Sequence, residues 1–187
     1  MKDSKGKLVI ISAPSGTGKG TVINELLKLR PDYNFSVSST TRKPRPGEVD
    51  GVAYYFVSHE KFIKMIDNNE FLEHAQFVGE HYGTPMKPIN EYINSGQTVI
   101  LDIEVQGAKQ VMSKDIDAIT IFLVAPSMEE LENRLRGRGT DSDDKLIARL
   151  EQARSELNEK EHYDYIVVND NAIRAAEEIL SIIEGKE

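Results

Sequence analysis

The chain contains no cysteine, which leaves neither a disulfide framework nor a cysteine-based zinc site to consider. It also lacks any apolar run near the roughly 20 residues that cross a bilayer. The basic start of "MKDSKGKLVIIS" leads into an apolar stretch too short for a signal peptide. The expected location is the cytoplasm, with no membrane partner. Basic charge is scarce as well: 23 Lys and Arg stand against 31 Asp and Glu, a net charge of −8. That balance argues against a nucleic-acid partner, which calls for a basic surface. There are no internal repeats and no low-complexity tracts.

What is present is ordinary globular material. The chain has 187 residues, of which 39% are hydrophobic and 29% charged, enough for one domain with a real core. "KLVIIS" reads as a buried strand, and Val22, Ile23, Leu26 and Leu27 recur behind it at helical spacing, with Pro31 beyond. "TVILDI" (98–103), "AITIFLVA" (118–125) and "YDYIVV" (163–168) read as further strands. "SMEELENRLRGRG" opens with a capping box, Ser127 with Glu130 three residues later. Two more helices follow, one with Leu146, Ile147, Leu150, Ala153 and Leu157 on one face, the last with Ile173, Ala176, Leu180 and Ile183. Buried strands alternating with helices predict an α/β fold: a mainly parallel sheet with right-handed crossovers. Residues 35 to 85 break this rhythm. They are rich in Ser, Thr, Gly, Pro and Tyr, with short strands in "NFSVSSTT" and "VAYYFVS" and a small helix in "HEKFIKMIDNN", and predict an inserted α+β subdomain.

"SAPSGTGKGT" (12–21) resembles the phosphate-loop fingerprint G-x-x-x-x-G-K-[ST] with two departures. Ala13 stands at the first glycine position and Gly20 follows the lysine. The mechanics survive. Gly16, Gly18 and Gly20 let the backbone curl its N–H groups inward, a helix begins there with its positive dipole end, and Lys19 reaches for the outer phosphates. Gly20 lacks the hydroxyl that usually meets Mg²⁺, and Thr21 is next in line. Asp102, closing a buried strand, is the second candidate for the metal. Arginines gather locally despite the acidic balance: Arg42 with Arg45, then Arg134, Arg136 and Arg138, then Arg149. Arg42 and Arg45, with hydroxyls and Tyr54 and Tyr55 beside them, suit a phosphomonoester. No N-K-x-D element for a switch GTPase is present.

Taken together, "SAPSGTGKGT", "FSVSSTTRKPRPGEVDGVAYYF", "NNEFLEHAQF", "HYGTP", "ILDIEVQG" and "RLRGRGT" resemble guanylate kinases in order and spacing, from about residue 7 to 183. The resemblance implies ATP + GMP ⇌ ADP + GDP with Mg²⁺. It implies a P-loop NTPase-type parallel-sheet core flanked by helices (about 1–34, 86–126 and 158–187), a GMP-binding subdomain (about 35–85) and a small helical lid (about 127–157). By the same resemblance Arg42, Arg45, Tyr54 and Tyr82 hold the GMP phosphate, and Ser38, Glu73 and Thr84 read guanine. Ala13, Pro14, Ser15, Gly16, Thr17, Gly18, Lys19, Gly20 and Thr21 form the ATP loop. Arg134, Arg138 and Arg149 close on the ATP phosphates, with Lys19 and Arg42 completing the catalytic set, and Asn169 lies near adenine. Asp102 and Glu104 are counted with the GMP site. Glu104 stands where an aspartate is frequent, which leaves its role open between metal, GMP and neither.

The guanine assignment has its own chemistry. Guanine offers N1–H and the 2-amino group as adjacent donors, and one ionised carboxylate accepts from both. Adenine offers no such pair, and a site built on buried hydrogen bonds rejects the mismatch. Arg136 is expected on a solvated face. Two alternatives remain: a non-catalytic guanylate-kinase-like module that binds a peptide, and a kinase of the same fold for another monophosphate. The sequence is compatible with a homo-oligomer and does not fix the number of copies.

Overall fold

The computed structural model describes residues 6–77, 79–114, 116–137 and 143–185. Two sheets carry the architecture. The larger has strands β1 (Leu8–Ser12), β2 (Asn34–Phe35), β7 (Val99–Asp102), β8 (Ile119–Val124) and β9 (Tyr165–Val168), in the order β2-β7-β1-β8-β9. The smaller has β3 (Ser39–Thr40), β4 (Tyr55–Phe56), β5 (Phe71–Phe77) and β6 (Glu80–Pro85), in the order β4-β3-β6-β5. The helices are α1 (Lys19–Leu29), α2 (His59–Asp67), α3 (Met86–Asn94), α4 (Val105–Met112), α5 (Met128–Gly137), α6 (Asp143–Leu157) and α7 (Ala172–Glu184). The mixed α/β class expected from the alternating pattern is what is found. No helix among the described residues is long and apolar enough to cross a membrane.

The chain divides into two compact units, one chiefly from Asn34–Leu101 and Gln106–Asp117, the other from Val9–Tyr33, Asp102–Val105 and Ala118–Glu187. In the second unit β1, β8 and β9 run parallel, with Ile11 opposite Ile121 and Phe122 opposite Ile166. All five residues of β1 are buried, as expected of a parallel strand covered on both faces. Helices α1 and α7 pack together, burying Val22, Ile23 and Leu26 of one and Ala175, Ala176, Ile179 and Ile183 of the other. Asn171 caps α7 by accepting from the backbone N–H groups of Ile173 and Arg174 at 3.0 and 3.1 Å. Replacing Asn171 with Ala is expected to cost about 1 kcal/mol, lowering the thermal midpoint by about 3 °C. A calorimetric scan checks this, and an unchanged midpoint would show that water serves those N–H groups equally well.

A separate cluster joins α5 and α6 through Leu131, Leu135, Leu146, Leu150 and Ala153. Ser127 caps α5 as expected, accepting from Glu130 N at 3.0 Å. The other half of the predicted box differs. The Glu130 carboxylate accepts from Arg134 Nε at 2.8 Å, because a charged partner one turn on competes with a neutral N–H.

In the first unit β5 and β6 form an antiparallel hairpin and β3 pairs antiparallel with β6, setting Ser39 opposite Gly83. Phe62 of α2 is fully buried and stacks on Phe71 at 4.4 Å between centroids. This hairpin and helices α3 and α4 were not anticipated from the sequence.

Candidate active site

The loop after β1 folds as its glycines dictate. Gly16 and Gly18 both have φ of 90°, the left-handed region that other residues avoid. Gly16 has a second constraint, since a Cβ there would lie 2.7 Å from Leu135 Cδ2. Gly18 ends the loop and opens α1, with no side-chain cap on the helix N-terminus. Residues 13–21 and Glu104 line a cavity of about 290 Å³.

Lys19 reaches back across that loop. Its Nζ lies 2.6 Å from Asp102 Oδ1 and donates to the Ile103 carbonyl at 2.9 Å. Asp102, the end of β7, is therefore drawn to the loop lysine. Three further predicted residues meet the loop. Arg149 Nη2 donates to Ser15 Oγ at 2.8 Å. Arg134 donates to the carbonyls of Thr17 and Asn169 at 3.1 and 3.0 Å. Asn169, 5% exposed, donates from Nδ2 to the Thr17 carbonyl at 2.7 Å. Two side chains thus converge on one loop carbonyl, which fixes the loop from below. Thr21 is exposed at the start of α1. Arg138 lies outside the described residues. Arg136 is paired on the surface with Glu132 at 2.7 Å.

The smaller sheet gathers the other predicted group. Glu73 is 7% exposed and Thr84 is fully buried. Thr84 Oγ1 donates to Glu73 Oε1 at 2.5 Å, and Ser38 Oγ lies 3.4 Å from Thr84 Oγ1. Burial pushes the Glu73 carboxyl above the ordinary glutamate range, while the Thr84 hydrogen bond and the Lys114 charge pull it back. A carboxylate with two oxygens has room for further donors beyond Thr84.

Arg42 lies in the same unit, its guanidinium 5.4 Å from the Tyr54 ring centroid and 5.8 Å from that of Phe56. The Tyr54 and Tyr82 rings meet edge-on at 6.1 Å. Glu48 grips Arg42 through both oxygens, at 2.8 and 3.0 Å, and also accepts from Arg45 N at 2.7 Å. Arg45 itself is exposed.

A family model described as guanylate kinase matches residues 5–186. The chain belongs to the guanylate kinase family. It is 48% identical to a guanylate kinase of Synechococcus sp. (strain JA-3-3Ab), over 96% of this chain and 83% of that protein. It is also 48% identical to one from Lactobacillus johnsonii (strain CNCM I-12250 / La1 / NCC 533), over 97% of this chain and 90% of the other. The crystal structure of guanylate kinase from Anaplasma phagocytophilum is similar with a TM-score of 0.78 and 35% identity, covering 98% of this chain and 87% of that one.

Within this guanylate kinase fold, two side chains escaped sequence reasoning. Glu48 sits six residues from Arg42, and a charge in a turn-rich segment gives no signal of a bidentate grip. Glu156, on α6, is pushed up by burial and further by the nearby Glu104 charge. Its helical position alone reads as a surface glutamate.

Proposed function

We propose that this chain transfers the γ-phosphoryl group of ATP to GMP, giving ADP and GDP. The observation that carries the reading is the buried Glu73–Thr84 pair with Ser38 beside it. An almost fully enclosed carboxylate is costly unless donors meet it, and guanine supplies two on one edge. Glu73 accepts from N1–H and the 2-amino group, while the Ser38 hydroxyl donates to O6. Arg42, Arg45, Tyr54 and Tyr82 take the GMP phosphate. The fork of Arg42 is held flat and oriented by Glu48, which limits the rotamer freedom lost on binding.

On the donor side, N–H groups of the loop and the N-terminus of α1 hold the ATP phosphates. Lys19 and the arginines at 134, 138 and 149 neutralise the charge that develops on the moving group, and Asn169 lies toward adenine. Phosphoryl transfer asks the protein for positioning and charge more than for covalent chemistry. Mg²⁺ fits the donor set at the loop. No group of three acidic or histidine side chains among the described residues forms a cation cage, but Mg²⁺ typically takes only one or two carboxylates plus phosphate oxygens. Asp102 and Thr21 would hold it, with Glu104 beside the same cavity. The bound ion would supply charge neutralisation on the phosphates.

The three-part division fits this chemistry: a core of about 1–34, 86–126 and 158–187, a GMP-binding part of about 35–85, and a lid of about 127–157 that excludes water and so prevents ATP hydrolysis. The cytoplasm, where both nucleotides are available, is the matching location. Relatives named guanylate kinase weigh for a catalyst over a peptide-binding module. The test is ADP production from ATP and Mg²⁺, followed by a coupled assay with and without GMP. Turnover that requires GMP is expected; a folded sample without it would overturn the reading.

A further inference from the structure

Strand β5 does not run evenly past β6, and its register shifts between Phe71 and Glu73. Around this irregularity α4 and the turn after it hold the strand backbone. Gln110 Oε1 accepts from His74 N at 3.2 Å and its Nε2 donates to His74 O at 2.9 Å. Lys114 Nζ donates to the Leu72 carbonyl at 2.5 Å. Glu73 lies between these two anchors. On the same side of α4, Gly107 is buried. A Cβ at Gly107 would lie 2.7 Å from Glu73 Oε2, 3.1 Å from its Cδ and 3.4 Å from its Cγ. Those are the three nearest heavy atoms beyond the helix's own backbone and the chain neighbours, so such a Cβ would press first on the Glu73 side chain. Glycine inside a helix is less favourable than alanine, and room for a carboxylate is a physical reason for it here.

We infer that Gly107 is a specificity-determining positioning residue: its bare Cα, with Gln110 and Lys114 fixing the strand, sets where the Glu73 carboxylate stands against the guanine edge. Thr84 holds one oxygen of Glu73, and the other rests over Gly107. The carboxylate is thereby held at one oxygen while the other occupies the space a Cβ at Gly107 would take. The inference rests on the guanine reading proposed above.

The variant is Gly107→Ala, assayed with ATP and either GMP or IMP, which keeps N1–H and lacks the 2-amino donor. Displacing a positioned group by about 1 Å can cost about 10²-fold, so kcat/KM for GMP is expected to fall about 10- to 100-fold. IMP, which uses one donor only, should lose far less, so the GMP:IMP ratio drops. The KM for ATP should stay within about twofold, since nothing near the loop changes. In a Glu73→Asp background, whose shorter side chain leaves the space free, Gly107→Ala should cost little more, a non-additivity expected of residues in contact. Gln110→Ala provides a second reading should the first variant fold poorly, with a smaller drop in the same ratio. An unchanged GMP:IMP ratio in a folded Gly107→Ala protein overturns the inference, as does full additivity with Glu73→Asp. Absence of GMP turnover in the parent protein would instead sink the underlying guanine reading.

Discussion

Glu73→Gln is expected to lower kcat/KM for GMP by about 10²- to 10³-fold, because one acceptor oxygen becomes a donor facing guanine donors. The KM for ATP should hardly move. The same variant is expected to unfold at a higher temperature than the parent at neutral pH. Burial raises the Glu73 carboxyl above its usual range, so folding favours the protonated form. A group raised in this way contributes stability below its unfolded pKa of about 4.3, and that contribution is lost as pH rises through the higher folded value. At pH 7 the parent therefore carries the cost of a buried charge that glutamine does not have. The difference in midpoint between the two proteins should narrow as pH is lowered toward the ordinary glutamate range. Activity runs the opposite way, since the ionised form is the one that accepts from both donors: GMP turnover should begin to fail on acidification at a higher pH than for an exposed glutamate. Thermal scans and GMP kinetics across pH 4 to 8 check both halves. A Gln variant that is less stable at pH 7 would show that the Thr84 and Lys114 contacts outweigh the cost of burial, and one that uses GMP like the parent would show that Glu73 does not read the base.

Lys19→Met removes a different kind of charge. Its ammonium holds Asp102 at 2.6 Å, with side chains 15% and 29% exposed. Because Asp102 keeps access to water, losing this partner should cost no more than about 1 kcal/mol of stability. The catalytic loss should be far larger, about 10³-fold in kcat, the scale of removing one preorganised donor from a developing negative charge. The two readouts separate the roles. A folded protein with near-parental thermal midpoint and collapsed turnover supports Lys19 as the charge stabiliser at the loop. Turnover within tenfold of the parent would assign that work to the arginines.

Legibility in the sequence followed the range of the interactions. The loop was readable because its parts are contiguous: a strand, two glycines that need positive φ, a lysine and a helix start within a dozen residues. Strands β1, β7, β8 and β9 were readable because each is a short, mostly apolar run. Strands β3 and β4, two residues each, fall inside the short strand-like runs "NFSVSSTT" and "VAYYFVS", whereas β5 buries its first three residues in succession where an alternating strand would bury every second one. The capping box was half visible, since Ser127 acts locally while Glu130 answers to Arg134.

The resemblance to guanylate kinases supplied the acid–hydroxyl–arginine set; chain order and local propensity by themselves determined the phosphate loop and the parallel α/β class. These depend on neighbours within a turn or a strand, where backbone geometry limits the outcome. The tertiary structure alone decided that Asp102 meets Lys19, that Asn169 and Arg134 share the Thr17 carbonyl, that Glu48 holds Arg42, and that Glu73 is enclosed between Thr84 and Gly107. Each of these contacts joins groups through burial and hydrogen-bond geometry, and desolvation is a property of the packed chain that no single stretch of residues possesses.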